Sequence, residues 1–241
     1  MLKRRIRKGI ILAAGDGDRL GFLTIACPKV LLSVNDVPLI RYPIEALAAA
    51  GISDIAIVVG YLGDKVIEVV GNGNSFGVRL EYITNPDYLG GNAISVYMAR
   101  EWAQGEPVIL CMGDHLIERK MVKCLVGDRQ ILNETLCIDY TPAQHHKLAE
   151  ATKVIVDDAG CIKDIGKELV CWDAIDTGVF LLTESFFKAL DELIPRRGID
   201  VEISDVIRFL VSNGHRFDTC NVSGCSWADV DTKEDLDLVR R

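Results

Sequence analysis

Short apolar runs alternate with helical patterns through the first half of this chain, and this rhythm restricts its fold more than any other feature. The runs at 9–14, 55–59 and 107–112 are rich in Ile and Val and predict β-strands, while 38–50 and 92–103 predict helices between them. Strands that are apolar throughout are buried on both faces, as in parallel sheets built from β-α-β units. The sequence therefore predicts an α/β fold with a mostly parallel central sheet and helices on both faces.

The second half of the chain has a different rhythm, with strands that follow one another with few helices between them. This pattern predicts a mixed or antiparallel extension of the sheet. Helical spacing returns at 184–193 and 201–213, and Asp231 and Thr232 are placed to cap a final helix. No repeat or linker interrupts the chain, so we predict a single domain over residues 1–241. The predicted strands of this half are 134–140, 151–156, 161–165 and 177–182.

The charge balance restricts the partners of the chain. Its 241 residues carry 27 Lys and Arg against 35 Asp and Glu, which gives a formal net charge of −8. Because an acidic chain repels a phosphate backbone, we predict no nucleic-acid partner. Any phosphorylated substrate must then be held by locally clustered cations, by backbone amides or by a metal ion.

The sequence shows no sign of a targeting or membrane-spanning segment. Its longest unbroken apolar stretch, 55–63, is far shorter than the ~20 residues that span a bilayer. The basic start, residues 1–8, is followed by an apolar run too short for a secretory signal. The eight cysteines form no C-x-x-C pair, which predicts reduced structural thiols rather than a zinc site or disulfides. We therefore expect a cytoplasmic location.

The segment after the first predicted strand carries the most chemical information. It reads LAAGDGDRL from Leu12 to Leu20, and its glycines let the backbone approach a ligand and turn amide groups toward phosphate oxygens. Arg19 adds a permanent planar cation. The segment is not a dinucleotide fingerprint, because Leu20 stands where the third glycine is required. Lys29, in the segment PKVLL, is predicted to place a second cation over the same strand end.

The two patterns G-x-G-x-R-L and P-K-x-L together closely resemble those of the sugar-phosphate nucleotidyltransferases, and the likeness covers nearly the whole chain. The resemblance implies a nucleotide-diphospho-sugar transferase-like, Rossmann-like fold. It also implies an enzyme that joins a nucleoside triphosphate to a phosphorylated small molecule and releases pyrophosphate. The segment NPDYLGGNAISV at 85–96 is most similar to the branch that uses CTP. On this reading, residues 1–133 form the nucleotide-binding half and 134–241 the acceptor-binding half.

Two aspartates are predicted to hold Mg²⁺. Asp114 follows an apolar strand at the carboxyl edge of the sheet, where open α/β sheets bind ligands, although it could instead cap the next helix. The resemblance makes Asp114 the first metal ligand and, through the W-x-D pattern at 227–229, Asp229 the second. Asp231 remains the alternative, but its better position for capping leaves Asp229 for the ion. His115 is predicted to be a packed or hydrogen-bonded neighbour of the ligand rather than a ligand itself.

The remaining site residues are assigned by the same resemblance. Arg19 and Lys29 would stabilise charge on the α-phosphate and on the leaving pyrophosphate. Lys167 would hold the acceptor phosphate, although it could instead be an ordinary exposed turn lysine, and Lys153 is a competing candidate for the same role. Asp176 lies on the strand that resembles the acceptor-binding one. The predicted nucleotide-binding residues are Leu12, Ala13, Ala14, Gly15, Gly17, Gly91 and Asn92.

The acceptor is the least determined part of the prediction. Overall likeness favours inositol-1-phosphate, which would give CDP-inositol, with phosphocholine and a hexose-1-phosphate as alternatives. A choline group needs an aromatic or acidic cage, and the second half offers few aromatic residues, which favours the polyol. A guanylyl-transferring enzyme with a similar opening is a further alternative. A nucleotide-sensing regulatory subunit is the non-enzyme alternative, but it would not need Lys29, Asp114 and Asp229 together.

A membrane partner is a separate prediction. Relatives in the inositol branch can be joined to a lipid-synthesising membrane domain, which would place the reaction in phospholipid biosynthesis. The basic start could then contact an anionic surface or a membrane-embedded partner, although a solvated tail is the simpler interpretation. The adjacent His145 and His146, together with Glu150, are predicted to be loop residues rather than metal ligands, since neighbouring side chains point apart and no third ligand stands at a useful spacing.

Overall fold

The computed structural model describes residues 6–127, 133–142 and 148–240, so the first five residues and the pair His145-His146 lie outside the described residues. The strands are β1 (Lys8–Ala13), β2 (Ser33–Val34), β3 (Val37–Pro38), β4 (Asp54–Val59), β5 (Arg79–Thr84), β6 (Val108–Met112), β7 (His115–Ile117), β8 (Thr135–Asp139), β9 (Lys153–Val156), β10 (Ile162–Gly166), β11 (Ala174–Leu182), β12 (Asp218–Asn221) and β13 (Trp227–Asp229). The helices are α1 (Arg41–Ala49), α2 (Gly63–Val70), α3 (Asn92–Met98), α4 (Arg100–Ala103), α5 (Arg119–Val126), α6 (Glu184–Arg197), α7 (Ile203–Ser212) and α8 (Lys233–Val239).

A nine-stranded sheet forms the centre of the fold, and it is mixed as the sequence predicts. Strand β1 pairs in parallel with β4 and β6, and β4 pairs in parallel with β5. The long strand β11 pairs antiparallel with β6, β8 and β9, and β9 continues antiparallel to β10. Strand β12 completes the sheet by pairing in parallel with β8. The parallel block β6-β1-β4-β5 thus comes from the first half of the chain, and the second half extends it with antiparallel pairs and with the one parallel pair of β8 and β12.

Helices cover both faces of the sheet. Successive side chains of a strand point to opposite faces, so Ile55 and Ile57 belong to one core cluster while Ala56 and Val58 belong to the other. The first cluster includes apolar residues of α1 and α5, and the second includes those of α3, α6 and α7. Burial on both faces explains why the central strands are apolar throughout.

The structure differs from the sequence prediction mainly at the edge of the sheet. The predicted helix at 92–103 is divided at Ala99 into α3 and α4. Strand β5 was not predicted, because as an edge strand it exposes polar residues and buries little besides Leu80. Helix α2 was also not predicted, because it begins at Gly63, where the apolar stretch that contains β4 ends.

A small ribbon outside the main sheet carries the end of the chain toward the first half. Strand β13 pairs antiparallel with β7, which sets Asp229 opposite His115. Behind this ribbon, Val230 and Leu236 pack with Val34 and Leu39 in a separate apolar cluster. This packing fixes residues 227–232 beside the carboxyl end of β6.

In the described ranges, no helix is both long and apolar enough to cross a bilayer. The cysteines, all of which lie in the described ranges, form no disulfide, and Cys111 and Cys137 are buried in the core as expected of structural thiols. Burial raises the pKa of the Cys111 thiol far above its usual range, which makes it chemically inert at neutral pH.

Candidate active site

A cleft of about 420 Å³ opens at the carboxyl ends of β1 and β6. This is the edge at which open α/β sheets bind ligands, because the loops that follow parallel strands meet there. Residues from both halves of the chain line the cleft. The predicted site residues among them are Leu12, Ala14, Gly15, Arg19, Asn92, Asp114, Lys167, Asp176 and Asp229.

Three of the predicted nucleotide-binding residues do not line the cleft and have structural positions instead. Ala13 is buried in the core, because alternate residues of a strand face opposite sides. Gly17 has φ +67°, and a Cβ there would lie 2.9 Å from the Cβ of Lys29. A Cβ on Gly91 would lie 2.2 Å from the carbonyl oxygen of Val201. These glycines therefore allow close packing around the cleft, and Gly17 makes room for the stem of Lys29.

Lys29 lies at the centre of a cluster of charges. Its Nζ is 2.6 Å from Oδ2 of Asp114 and 2.5 Å from Oδ1 of Asp231, and only 8% of the residue is exposed. Burial alone would lower the pKa of Lys29, but the two carboxylates outweigh it and raise this pKa above its usual value. Lys29 is therefore a permanently charged group with a fixed position. Lys29 does not itself line the cleft. It extends from a 3₁₀ turn, Lys29–Leu31, that begins after Pro28, and its Nζ contacts Asp114 and Asp231, which do line it.

Asp114 is bonded through both of its oxygens. Oδ2 faces Lys29, and Oδ1 lies 2.8 Å from Nδ1 of His115. Burial by itself would raise the pKa of Asp114, but the Lys29 ammonium and the bond to His115 hold it well below its usual range. Burial likewise opposes a charge on His115, but the bond to Asp114 and the charges of three aspartates raise its pKa. The sequence did not identify His115 as part of this cluster.

Asp231 is a site residue that the sequence argument set aside. The final helix is capped by Thr232, whose hydroxyl accepts from the amide of Asp235, so the predicted cap is confirmed at Thr232 and is wrong at Asp231. Its second oxygen, Oδ2, is instead 2.6 Å from Arg19. Arg19 also lies 3.1 Å from Glu150 of the second half, and both of these side chains are about half exposed. The sequence predicts Glu150 to be a loop residue, whereas in the structure it lines the cleft.

Several aspartates of the cleft are the residues to test as ligands of a divalent ion. Asp114 and Asp229 both line the cleft, and the backbone of Asp229 pairs with that of His115. Mg²⁺ commonly uses only one or two protein carboxylates and completes its shell with phosphate and water oxygens. The described part of the chain holds no set of three or more acidic, His or Cys side chains arranged as a complete cage. The ammonium of Lys29 between Asp114 and Asp231 shows that this group of carboxylates attracts a cation.

The acceptor side of the cleft holds one half-buried acid, Asp176, and one exposed cation, Lys167. Burial raises the pKa of Asp176 to about 6, although its Oδ1 accepts a 2.7 Å hydrogen bond from the amide of Gly178. Lys167 lines the cleft and is exposed. Lys153, the alternative phosphate ligand, is buried and donates from Nζ to the carbonyl of Lys167 at 2.5 Å. Lys153 therefore holds the turn that carries Lys167.

The start of helix α3 joins the two halves of the molecule. The side chain of Asn92 accepts from the amide of Ile203 at 2.8 Å, and the amide of Gly91 donates to Ile199 at 2.8 Å. Glu202 accepts from the amide of Asn92 at 3.3 Å. These bonds occupy amides that a helix N-terminus could otherwise offer to a phosphate. Asn92 lines the cleft, but its backbone N–H is also bonded to Glu202 and its side-chain oxygen to Ile203, at the start of α7.

Comparisons with known proteins agree with this geometry. The profile described as nucleotidyl transferase matches residues 8–239. The protein named bifunctional IPC transferase and DIPP synthase from Rubrobacter xylanophilus is 31% identical over 239 residues, which is 96% of this chain and 51% of the relative. Its namesake from Thermococcus kodakarensis is 33% identical over 97% of this chain and 50% of the relative. The chain thus spans about half the length of these curated relatives.

A solved structure matches the chain over almost its full length. The inositol-1-phosphate CTP transferase from T. maritima is similar with a TM-score of 0.84 and 26% identity, and the match covers 98% of this chain and 95% of the other. The mixed α/β architecture is therefore shared with a transferase of known structure.

Proposed function

The chain belongs to the nucleotidyl transferase family, and from this premise we propose that it transfers a cytidylyl group from CTP to inositol-1-phosphate, giving CDP-inositol and pyrophosphate. The names of the relatives, IPC transferase and inositol-1-phosphate CTP transferase, support both substrates. The observation that carries the proposal is the buried Lys29 between Asp114 and Asp231 beside a cleft lined by both halves. A cleft of this kind can bring two phosphates together.

The proposed reaction is an in-line displacement. An oxygen of the acceptor phosphate attacks the α-phosphorus of CTP, and the bond from this phosphorus to the β-phosphate oxygen breaks. Such transfers depend on positioning and on neutralisation of charge rather than on a protein nucleophile. Arg19 and Lys29 would stabilise the charge on the α-phosphate and the departing pyrophosphate. Leu12, Ala14 and Gly15 would face the nucleoside from the end of β1.

Asp114 and Asp229 are proposed to hold Mg²⁺. When bound, this ion supplies positive charge between the α-phosphate and the acceptor phosphate and lowers their mutual repulsion. Asp231 is the competing second ligand, because it already shares the Lys29 ammonium with Asp114. The three carboxylates can be told apart by the Mg²⁺ dependence of their amide variants.

The acceptor is proposed to bind against Lys167 and Asp176, in the half formed by residues 134–241. Lys167 would pair with its phosphate, and the carboxyl of Asp176 would bind a hydroxyl group. Among the residues that the structure describes, the aromatic side chains lining the cleft are Tyr88 and Trp227, and the indole N–H of Trp227 is bonded to Asp139. Two separate aromatic residues make a poor cage for a quaternary ammonium, which supports inositol-1-phosphate over phosphocholine.

We also propose that the product is passed to a membrane-embedded, lipid-synthesising domain or partner. The second activity in the names of the relatives, DIPP synthase, supports a following step, and this chain matches only about half of their length. A cytoplasmic location stays a prediction. Sedimentation with anionic liposomes, with and without residues 1–8, tests the membrane contact, and unchanged binding after truncation would remove the basic start from the proposal.

The test of the transfer is a matrix of substrates. The chain is incubated with Mg²⁺ and each nucleoside triphosphate against inositol-1-phosphate, phosphocholine and glucose-1-phosphate, and the release of pyrophosphate is followed. We expect fastest release with CTP and inositol-1-phosphate. Release only with another pair would reassign the substrates. Tight CTP binding without release for any acceptor would favour the regulatory-subunit alternative.

A further inference from the structure

His115 is in contact with the charge cluster and with the acceptor strand at the same time. Its Nδ1 is 2.8 Å from Oδ1 of Asp114, whose other oxygen faces Lys29. The side chain is 17% exposed. A carboxylate turns easily about its last bond, so a partner on one oxygen determines where the other points. The imidazole of His115 is in position to fix the direction of the Asp114 carboxylate in this way.

The opposite edge of the imidazole rests against a glycine of β11. A Cβ on Gly178 would lie 2.8 Å from Cδ2 and 2.9 Å from Nε2 of His115, which is closer than two such atoms approach in proteins. Gly178 also has φ +75°, a conformation that side chains disfavour. The main chain of His115 is fixed as well, because it pairs with Asp229 in the β7–β13 ribbon. Three elements therefore determine the position of the ring.

We infer that His115 is a positioning residue for the transfer: its Nδ1 orients the Asp114 carboxylate so that Oδ2 faces Lys29 and the reacting phosphates, and Gly178 keeps the ring in place. The inference rests on the proposed function. Partners that orient an ion-binding or reacting side chain typically contribute 10–100-fold to affinity or activity. His115 itself needs no contact with either substrate for this role.

The first experiment uses three substitutions that separate the two ring nitrogens. An asparagine amide nitrogen lies close to the position of Nδ1, whereas a glutamine amide nitrogen lies close to that of Nε2. We expect His115→Asn to keep kcat within about threefold of wild type, and His115→Gln and His115→Ala to lower kcat by about 10–100-fold. The KM for CTP should change less than threefold in all three. Equal losses in Asn, Gln and Ala variants would show that the ring only fills space and would overturn the inference.

A binding measurement keeps this test independent of the reaction. The affinity for Mn²⁺ in the presence of CTP, followed by electron paramagnetic resonance, should fall in His115→Gln and His115→Ala but not in His115→Asn. If wild type releases no pyrophosphate with any acceptor, the proposed function fails, but this order of affinities still tests the role of His115. Equal Mn²⁺ affinity in all variants would contradict that role.

The second experiment tests the contact with Gly178. Gly178→Ala should displace the imidazole and lower kcat about tenfold in the wild-type protein, but it should lower kcat no further in the His115→Ala background. Strain at this backbone position should lower the thermal stability equally in both backgrounds. Losses of kcat that multiply in the double variant would show that Gly178 does not act through His115.

Discussion

The buried lysine beside the cleft and the exposed lysine at its acceptor edge carry the same charge in very different surroundings. Lys29 is almost completely buried and is bonded to carboxylates of Asp114 and Asp231. Lys167 is exposed, and the bond that involves it is made by its main-chain carbonyl. The comparison teaches that one cation is preorganised by the fold, while the other stays available to bind whichever phosphate arrives.

Removing the buried cation should produce the largest effect. Lys29→Ala should lower kcat by about 10²–10³-fold, because one preorganised charge stabiliser is lost. It should also lower the free energy of unfolding by about 3 kcal/mol, since Asp114 and Asp231 are left facing each other without their counter-ion. Steady-state kinetics and urea unfolding measure the two effects. The exposed Lys123→Ala is the control, and a Lys29 variant as stable and active as this control would break the comparison.

The carboxylates around Lys29 should separate into ion ligands and cation holders. Asp114→Asn and Asp229→Asn should lower kcat by about 10²–10³-fold and raise the Mg²⁺ concentration needed for half-maximal turnover. Asp231→Asn should leave this Mg²⁺ requirement nearly unchanged, because its carboxylate is bonded to Lys29 and Arg19. A Mg²⁺ titration of turnover in each variant measures the difference. The reverse order for Asp229 and Asp231 would assign the ion to Asp231.

The exposed cation should affect binding rather than stability. Lys167→Ala should raise the KM for inositol-1-phosphate about tenfold, which corresponds to about 1.4 kcal/mol of lost binding. The KM for CTP and the urea midpoint should not change. Lys163→Ala, an exposed lysine on the neighbouring strand β10, is the matched control. A lower urea midpoint in Lys167→Ala, with no change in the KM for inositol-1-phosphate, would show that Lys167 stabilises the fold as Lys29 does.

Removing the charge of Asp176 should stabilise the fold and weaken the binding of the acceptor. Burial raises its pKa to about 6, whereas an unfolded aspartate titrates near 4, so the folded state binds more protons between these pH values. The side chain's contribution to the free energy of unfolding is therefore complete below pH ~4 and is lost as the pH rises through ~6. Asp176→Asn should be more stable than wild type above pH ~6, by as much as about 3 kcal/mol, and equal to it near pH ~4.

Urea unfolding of wild type and Asp176→Asn across this pH range checks the sign, and the KM for the acceptor should rise in the variant. A stability difference that does not change with pH would show that ionising the Asp176 carboxyl does not destabilise the folded protein.

The smallest effect is expected where both partners are exposed. Arg19 and Glu150 form an ion pair in which each side chain is about half exposed. Glu150→Gln should change the free energy of unfolding by less than about 0.5 kcal/mol and the KM for CTP by less than threefold, since surface ion pairs contribute little. Measuring the free energy of unfolding at low and high salt sharpens the contrast between the two sites, because salt should weaken the exposed Arg19–Glu150 pair much more than the buried Lys29 cluster.

Local patterns predicted the sheet, and long-range contacts determined what was missed. The apolar run of β1 and the glycine segment after it are properties of neighbouring residues, so their positions follow from the sequence. Strand β5 was missed because an edge strand is buried on too little of its surface to show an apolar run. Helix α2 was missed because it begins at Gly63, where the apolar stretch that contains β4 ends, so no polar turn marks its start.

In the cleft, resemblance brought Lys29 and Asp114 together, but it did not predict the orientation of the surrounding side chains. Asp231 faces Lys29 because Thr232 takes the capping position, and this choice depends on contacts with Asp235. Glu150 meets Arg19 only in the folded chain, and the bond of His115 to the adjacent Asp114 depends on how the two side chains are turned. Periodicity and spacing carry no information about such orientations.

The central claim is that the acceptor phosphate attacks the α-phosphorus of CTP within this cleft. The most direct test uses inositol-1-phosphate labelled with ¹⁸O in its phosphate, with CTP and Mg²⁺, and follows the products by ³¹P nuclear magnetic resonance. The account predicts that ¹⁸O appears in CDP-inositol, including the oxygen that bridges the two phosphorus atoms, and that the released pyrophosphate is unlabelled. Labelled pyrophosphate, or pyrophosphate formed without CDP-inositol, would contradict it.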